Sequence, residues 1–156
     1  MLNKKESDSI LALLGKIKNP ENGLPQPIFD ALAKLTPFVA CEIVLASPEG
    51  ILLTWRDDQW WKGWHFPGGL MRFREDFLDR IQKVAQQELG ISIQKYDFLF
   101  LKNCNAADRA HVISLVFRCY AKSRPKKGRF FKKMPSDIIE GHKDIWKKAH
   151  KIIFKR

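Results

Sequence analysis

Gly68, Gly69, Glu75, Lys83, Glu88 and Gly90 are the residues whose types and spacing point most directly to chemistry. A Gly-Gly turn lets backbone carbonyls approach a cation closely, because no Cβ intervenes. The residues that follow have helical periodicity, and on a helix positions 84, 87 and 88 project from one face. Only Glu88 carries charge there; Gln87 offers a neutral carbonyl oxygen and Val84 offers nothing. The arrangement suits diphosphate chemistry around a hard, oxygen-seeking cation, with a reduced set of acids.

The elements that must position these residues follow from the pattern around them. From Asp76 onward Phe77, Ile81, Val84 or Ala85, and Glu88 recur on one side of a helix. Asp76 is its expected N-cap, with Asp79 completing a weak capping box. Gly90 is the expected residue just past its end, free to adopt the left-handed conformation. Upstream, residues 38–45 read as a strand, and Ser47-Pro48-Glu49-Gly50 turns it into a second strand over 51–56, so the pair predicts a hairpin. Strands are also expected over 96–101 and 110–120, the latter rich in Val112, Ile113, Val116 and Phe117. Helices are expected over 7–18, 28–35 and 144–154, and residues 122–133 read as a basic Pro/Gly loop.

A chain of 156 residues with 45% hydrophobic side chains fits one domain around one core. The expected division is a helical extension over 1–26 and a basic C-terminal segment over 122–156 of that same domain. No apolar run approaches the roughly 20 residues that span a bilayer. The apolar stretch 10–14 after Lys4 and Lys5 is too short for a secretory signal, so a soluble cytoplasmic protein is expected. Cys41, Cys104 and Cys119 are odd in number and lack C-x-x-C spacing, which points to reduced thiols. Of the net charge of +11, residues 122–156 carry +10, from 13 basic and 3 acidic side chains. Such a block attracts polyanions by counterion release, but it serves equally as a solvated surface or as a field steering a phosphorylated substrate.

The stretch from Gly69 to Ile91 resembles the Nudix box, G-x5-E-x7-R-E-U-x-E-E-x-G-U with U aliphatic. Gly69, Glu75, Glu88, Gly90 and Ile91 match, Ala85 stands at U and Lys83 replaces Arg, while Val84 and Gln87 occupy two glutamate positions. The resemblance implies an α/β fold, a Nudix-type α/β/α sandwich with a central mixed sheet. Residues 28–91 look like the GDP-mannose mannosyl hydrolase branch, which also lacks acids at those two positions. That branch implies one Mg2+, with Mn2+ as a substitute, held by the Gly68 carbonyl and Glu88. It also implies hydrolysis of a nucleotide-sugar at the anomeric carbon, breaking a C–O bond with inversion.

By the same resemblance His142, on a late loop, is the candidate general base, and Arg56 lies near the leaving diphosphate. Glu42 falls where the branch has an aspartate. Glu42, Arg72 and Lys83 are the candidate substrate contacts, Arg72 standing in for a branch arginine that is Leu70 here. Lys83 keeps the box charge but loses the planar fork, and pinning the loop is the use favoured for it over catalysis. Gly141 replaces a glutamine that would be a third metal ligand, with Glu140 as a substitute. Gly69, Glu75 and Gly90 read as structural residues of the box.

His65 and His111 are expected as packed strand histidines and His150 as helix surface, with Trp55, Trp60, Trp61 and Trp64 chiefly filling core and loop. Three functions follow in order: nucleotide-sugar hydrolase, pyrophosphohydrolase of another nucleoside diphosphate derivative, and a catalytically impaired nucleotide- or nucleic-acid-binding module. The first implies a small-molecule partner; a homodimer through the N-terminal helix and nucleic acid on the basic tail are the other partners weighed, and no membrane contact is expected.

Overall fold

In the computed structural model, residues 2–105 and 110–154 are described. Helices α1 (Lys4–Leu14) and α2 (Gln26–Leu32) precede strand β1 (Phe38–Val44). Strands β2 (Ala46–Ser47), β3 (Gly50–Asp57), β4 (Lys62–His65) and β5 (Gly68–Leu70) lead into helix α3 (Phe77–Val84), which continues as a π-helical turn over Ala85–Leu89. Strands β6 (Ile93–Cys104), β7 (Val112–Ala121) and β8 (Arg129–Phe131) and helix α4 (Glu140–Phe154) complete the order.

β1 is the centre of the fold because its sequence is apolar on both sides, and a strand buried on both faces must lie inside a sheet. It runs parallel to β7 and antiparallel to β5 in a mixed sheet of order β5-β1-β7-β6. With side chains alternating, Cys41 and Ile43 join Ile81, Val84, Ala85 and Leu89 in a cluster under α3. Val44 points the other way, into a cluster with Phe66, Val116, Ile145, Trp146 and Ala149 that seats α4. Helices therefore cover opposite faces of the sheet, the expected α/β/α layering. Glu42 shares the parity of Val44, so it places a carboxylate inside the protein, at 8% exposure.

The expected hairpin does not form. β1 is taken by β5 and β7, and β3 lies in a second sheet between β2 and β4 with β8 also paired to it. Only Ala46–Ser47 folds back onto β3. The basic loop contains β8, whose Phe131 is half-buried against the second cluster, so part of the charged tail is core structure. α4 begins at Glu140, four residues before the expected start, because the segment ahead of it is laced to β4: Trp64 N–H donates to Asp137 O and Ile139 N–H to Trp64 O. α1 buries no side chain and exposes Leu11 and Leu13. Among the described residues no helix is long and apolar enough to cross a membrane.

Gly69 and Val84 show how the box glycine works in packing. A Cβ at Gly69 would sit 3.1 Å from Val84 Cγ2, so the glycine lets α3 close onto β5. Val84 is 3% exposed. Restoring an acid there as Val84→Glu buries a carboxylate among apolar side chains. This costs about 3 kcal/mol or more, a fall in Tm of roughly 6 to 12 °C. Thermal unfolding checks it; unchanged stability contradicts this packing.

Candidate functional site

A cleft of about 420 Å3 opens at the edge of the first sheet, lined by Glu42, Gly68, Gly69, Arg80, His65 and His142. Arg56, Trp61, Leu70, Arg72 and residues of the N-terminal segment, among them Gln26 and Phe29, also line it. Two carboxylates meet here from different elements.

Glu42 comes from β1, directly opposite Gly68 on β5. A Cβ at position 68 would lie 2.1 Å from Glu42 Oε2, so only glycine leaves room for this carboxylate. Ser114 Oγ donates to Glu42 Oε1 over 3.4 Å. Among the described residues, Glu42 Oε2 alone is a fully buried side-chain nitrogen or oxygen without a hydrogen-bond partner. Burial first, and the charge of Glu88 second, push the Glu42 carboxyl up to about 8.

Glu88 comes from the π-helical turn to the cleft residue Gly68. Its Oε1 accepts from Gly68 N–H at 3.3 Å and its Oε2 from Thr54 Oγ at 3.2 Å. Burial holds it above the ordinary carboxylate range, opposed by those two hydrogen bonds and by Arg56 and Lys127. Ile43 N–H donates to Pro67 O and Met71 N–H to Val39 O. These bonds fix the alternation along the β1–β5 ladder, leaving Gly68 at a position whose N–H and C=O both face away from β1, on the side of Glu88.

This donor set fits one hard cation. Two carboxylates, each held above its ordinary range by burial and Glu42 further raised by the charge of Glu88, stand on either side of Gly68, and Glu42 has an orphaned oxygen. Among the described residues no three His, Cys, Asp or Glu side chains converge as a metal cluster. Most of the coordination would therefore come from water and substrate, as is usual for magnesium.

The other candidate residues separate by position. Arg56 lines the cleft and its Nε donates to Asp58. Arg72 lines it too, with its guanidinium against Gly23, where a Cβ would sit 3.0 Å from Nη1. Lys83 points elsewhere, its Nζ donating to Glu75 Oε1 at 2.9 Å. Glu75, with a side chain 4% exposed, also takes Arg72 N–H and Arg80 Nε at 3.0 and 2.7 Å. Burial pushes its carboxyl up, but the bonds from Lys83, Arg72 and Arg80 outweigh that and hold it below its ordinary value. This cluster pins the loop to the helix, and Arg80 is the partner that sequence reading overlooked. Gly90 adopts φ 66°, the left-handed value expected at the helix end.

Three expectations need correction. Positions 84, 87 and 88 do not share one face: Val84 is in the core, Gln87 is exposed and Glu88 turns to Thr54 and Gly68, because the π turn changes the helical register after Ala85. Glu140 does not replace the missing ligand, since its side chain is 83% exposed and pairs with Lys143. His142 lies in the first turn of α4 rather than on a loop. Phe66 N–H donates to its Nδ1 at 3.2 Å, so the neutral ring carries its proton on Nε2 and offers a donor. Burial, His65 and Lys102 lower it to about 3. His65, expected as packing, is buried in the lining of the cleft, its Nε2 3.1 Å from Thr54 Oγ and 3.6 Å from Glu88 Oε2. Of the tryptophans, Trp61 lines the cleft; Trp64 packs edge-on against Trp55 and Phe131. The basic segment adds Lys127, whose Nζ donates to Gln87 O.

With this geometry in view, comparison with known proteins is informative. The NUDIX domain family model matches residues 36–152. The MutT NUDIX hydrolase from Burkholderia pseudomallei superposes with a TM-score of 0.62 at 19% identity, covering 73% of this chain and 98% of that one. The NUDIX domain of Shewanella oneidensis NrtR, complexed with ADP ribose, gives 0.58 at 14% identity over 75% and 88% of the two chains. At such identities the likeness is one of fold. The low-salt glycan biosynthesis protein Agl8 of Haloferax volcanii is 29% identical over 75 residues, 47% of this chain and 48% of that protein. The chain thus spans about half the length of that curated relative.

Two outcomes follow from the charges. Glu75→Ala strands the buried Arg80 guanidinium and costs about 3 to 5 kcal/mol, read by chemical denaturation; a loss under 1 kcal/mol would contradict the pinning role. Glu42 titrates higher in the fold than in the unfolded chain, so its contribution to stability is full at acid pH and falls as pH rises toward about 8. His65 and His142 titrate lower in the fold, so their contribution is lost only as pH falls below about 6.5. Between about pH 6.5 and 8 the metal-free protein therefore loses stability, and Glu42→Gln flattens that slope. An equal slope in the variant would exclude Glu42 as its origin.

Proposed function

The chain belongs to the Nudix family, whose domain model runs over residues 36–152, and from that premise we propose that it is a hydrolase acting on a nucleoside-diphosphate sugar at the glycosyl C–O bond. The observation that carries this reading is the pair of carboxylates on either side of Gly68, Glu88 half-buried and anchored and Glu42 buried with an orphaned oxygen. Glu88 and the Gly68 carbonyl would hold Mg2+, or Mn2+ in its place. When bound, the ion supplies neutralising charge to a departing diphosphate.

The chain's own groups favour carbon over phosphorus as the site of attack. In-line attack at phosphorus in a full box draws on several helix glutamates, and here Val84 is core and Gln87 is surface. At the anomeric carbon the transition state resembles an oxocarbenium ion. The need is then a stabilised leaving group and one acceptor for the water proton.

Glu42 Oε2 is that acceptor, its high proton affinity suited to general base work near neutral pH. Water oxygen bonds to the anomeric carbon while the C–O bond to the diphosphate breaks. The electron pair leaves with the diphosphate oxygen and the water proton passes to Glu42. A single displacement inverts the configuration. Arg56 offers positive charge to the leaving group, with Arg72 also lining the cleft. His142 offers its Nε2–H to a substrate oxygen, a donor role in place of the base role. The glycan-biosynthesis name of the relative from Haloferax volcanii agrees with a sugar-containing substrate.

A panel of nucleoside-diphosphate sugars incubated with the protein and Mg2+ in H2(18)O tests the proposal. The expected result is turnover of at least one member, with label in the sugar. Glu42→Gln lowers kcat by about 10² to 10⁴-fold. Label in phosphate would overturn C–O cleavage, and turnover of no member would overturn the proposal.

A further inference from the structure

Resting on the reading that Glu88 is a cation ligand, we infer that Thr54 and His65 are positioning residues that hold the Glu88 carboxylate against Gly68. They take over an orientation that the box helix alone does not provide here. Neither residue belongs to the box, and neither has a part in the reaction steps above.

The two sit directly opposite one another on β3 and β4. Both are buried, at 6% and 7% exposure, in a ladder whose neighbouring residues 51–53 and Phe66 are fully buried and apolar. Buried hydroxyl and imidazole groups are costly unless hydrogen-bonded, and their bonds run in one direction. Thr54 has a single hydroxyl proton. An ionised carboxylate only accepts, so that proton is given to Glu88 Oε2 at 3.2 Å. The Thr54 oxygen is then left to accept at 3.1 Å from His65, which must carry its proton on Nε2.

The chain His65 Nε2–H, Thr54 Oγ–H, Glu88 Oε2 is thus directional. Its far end is fixed by the β4 backbone, which is laced in turn to the segment before α4. Gly68 N–H holds the other carboxylate oxygen at 3.3 Å. Glu88 is gripped at both oxygens from two strands, while the helix that carries it has just passed through a π turn and lacks acids at 84 and 87 to share a cation. Partners of this kind, one bond removed from a metal, are typically worth 10- to 100-fold in affinity.

Mn2+ binding, followed by the electron paramagnetic resonance of the free ion, tests this without turnover. Thermal unfolding of each variant runs in parallel. Thr54→Val keeps the shape and removes the hydroxyl, and is expected to weaken Mn2+ about 10- to 100-fold with Tm little changed. Thr54→Ser keeps the hydroxyl and is expected to stay within about threefold of the wild type. His65→Gln, which retains an N–H donor, is expected to bind more tightly than His65→Leu. Wild-type affinity in Thr54→Val would overturn the positioning role while leaving the cation reading intact, and equal weakening in Thr54→Ser would assign the effect to packing and overturn it too. Absence of Mn2+ binding by the wild-type protein would overturn the cation reading and this inference together.

Discussion

A buried carboxylate, Glu42, within reach of the charge of the half-buried Glu88 constrains the rest of this structure. Glu42 stands in a strand that is otherwise apolar on both faces, and it stays there because position 68 lacks a side chain. Glu88 approaches from the helix and is tied to the same residue by its backbone N–H. Among the described residues neither carboxylate is ion-paired with a lysine or arginine; Arg56 acts on both and Lys127 on Glu88 at longer range, and Arg56 spends its Nε on Asp58. Such an arrangement is costly in the isolated protein. It becomes reasonable when a cation and an anionic substrate complete it, which is the usual logic of strain stored at a functional site.

The helix that carries Glu88 has a divided role. Its first half is structural: Ile81 and Val84 seal the core, and Glu75 gathers Arg72 N–H, Arg80 and Lys83 into a knot that fixes the loop. Its second half is a π turn that leaves Gln87 in solvent and Glu88 against Thr54 and Gly68. Losing acids at 84 and 87 is therefore not a simple loss from an intact metal face. The face itself has been reassigned, one position to packing and one to the surface, with anchoring of Glu88 passed to β3 and β5.

Much of this was legible in the sequence where local chemistry has one solution. Gly90 had to be left-handed at a helix end, and the run 38–45 had to be a buried strand. The register of Gly69, Glu75 and Glu88 placed all three near the same loop. Pairing partners were less legible, because a central strand and a hairpin arm have the same composition, and β1 was claimed by β5 and β7 rather than by β3. The π turn was invisible to periodicity, which assumes a uniform helix. Thr54 was overlooked and His65 was given to packing, since alternate residues of a strand look alike until the element opposite them is known. Arg80 was hidden for the same reason, its partner Glu75 lying in the loop ahead of the helix.

The central claim is that the Glu42 carboxyl is held protonated by burial and by Glu88 until a cation enters. Carbon-13 NMR of labelled glutamate side chains, assigned through Glu42→Gln and followed over pH with and without Mg2+, measures this directly. The account predicts a Glu42 midpoint near 8 in the metal-free protein, moving down toward neutrality when Mg2+ is added. A midpoint already in the ordinary carboxylate range, and unmoved by Mg2+, would contradict it.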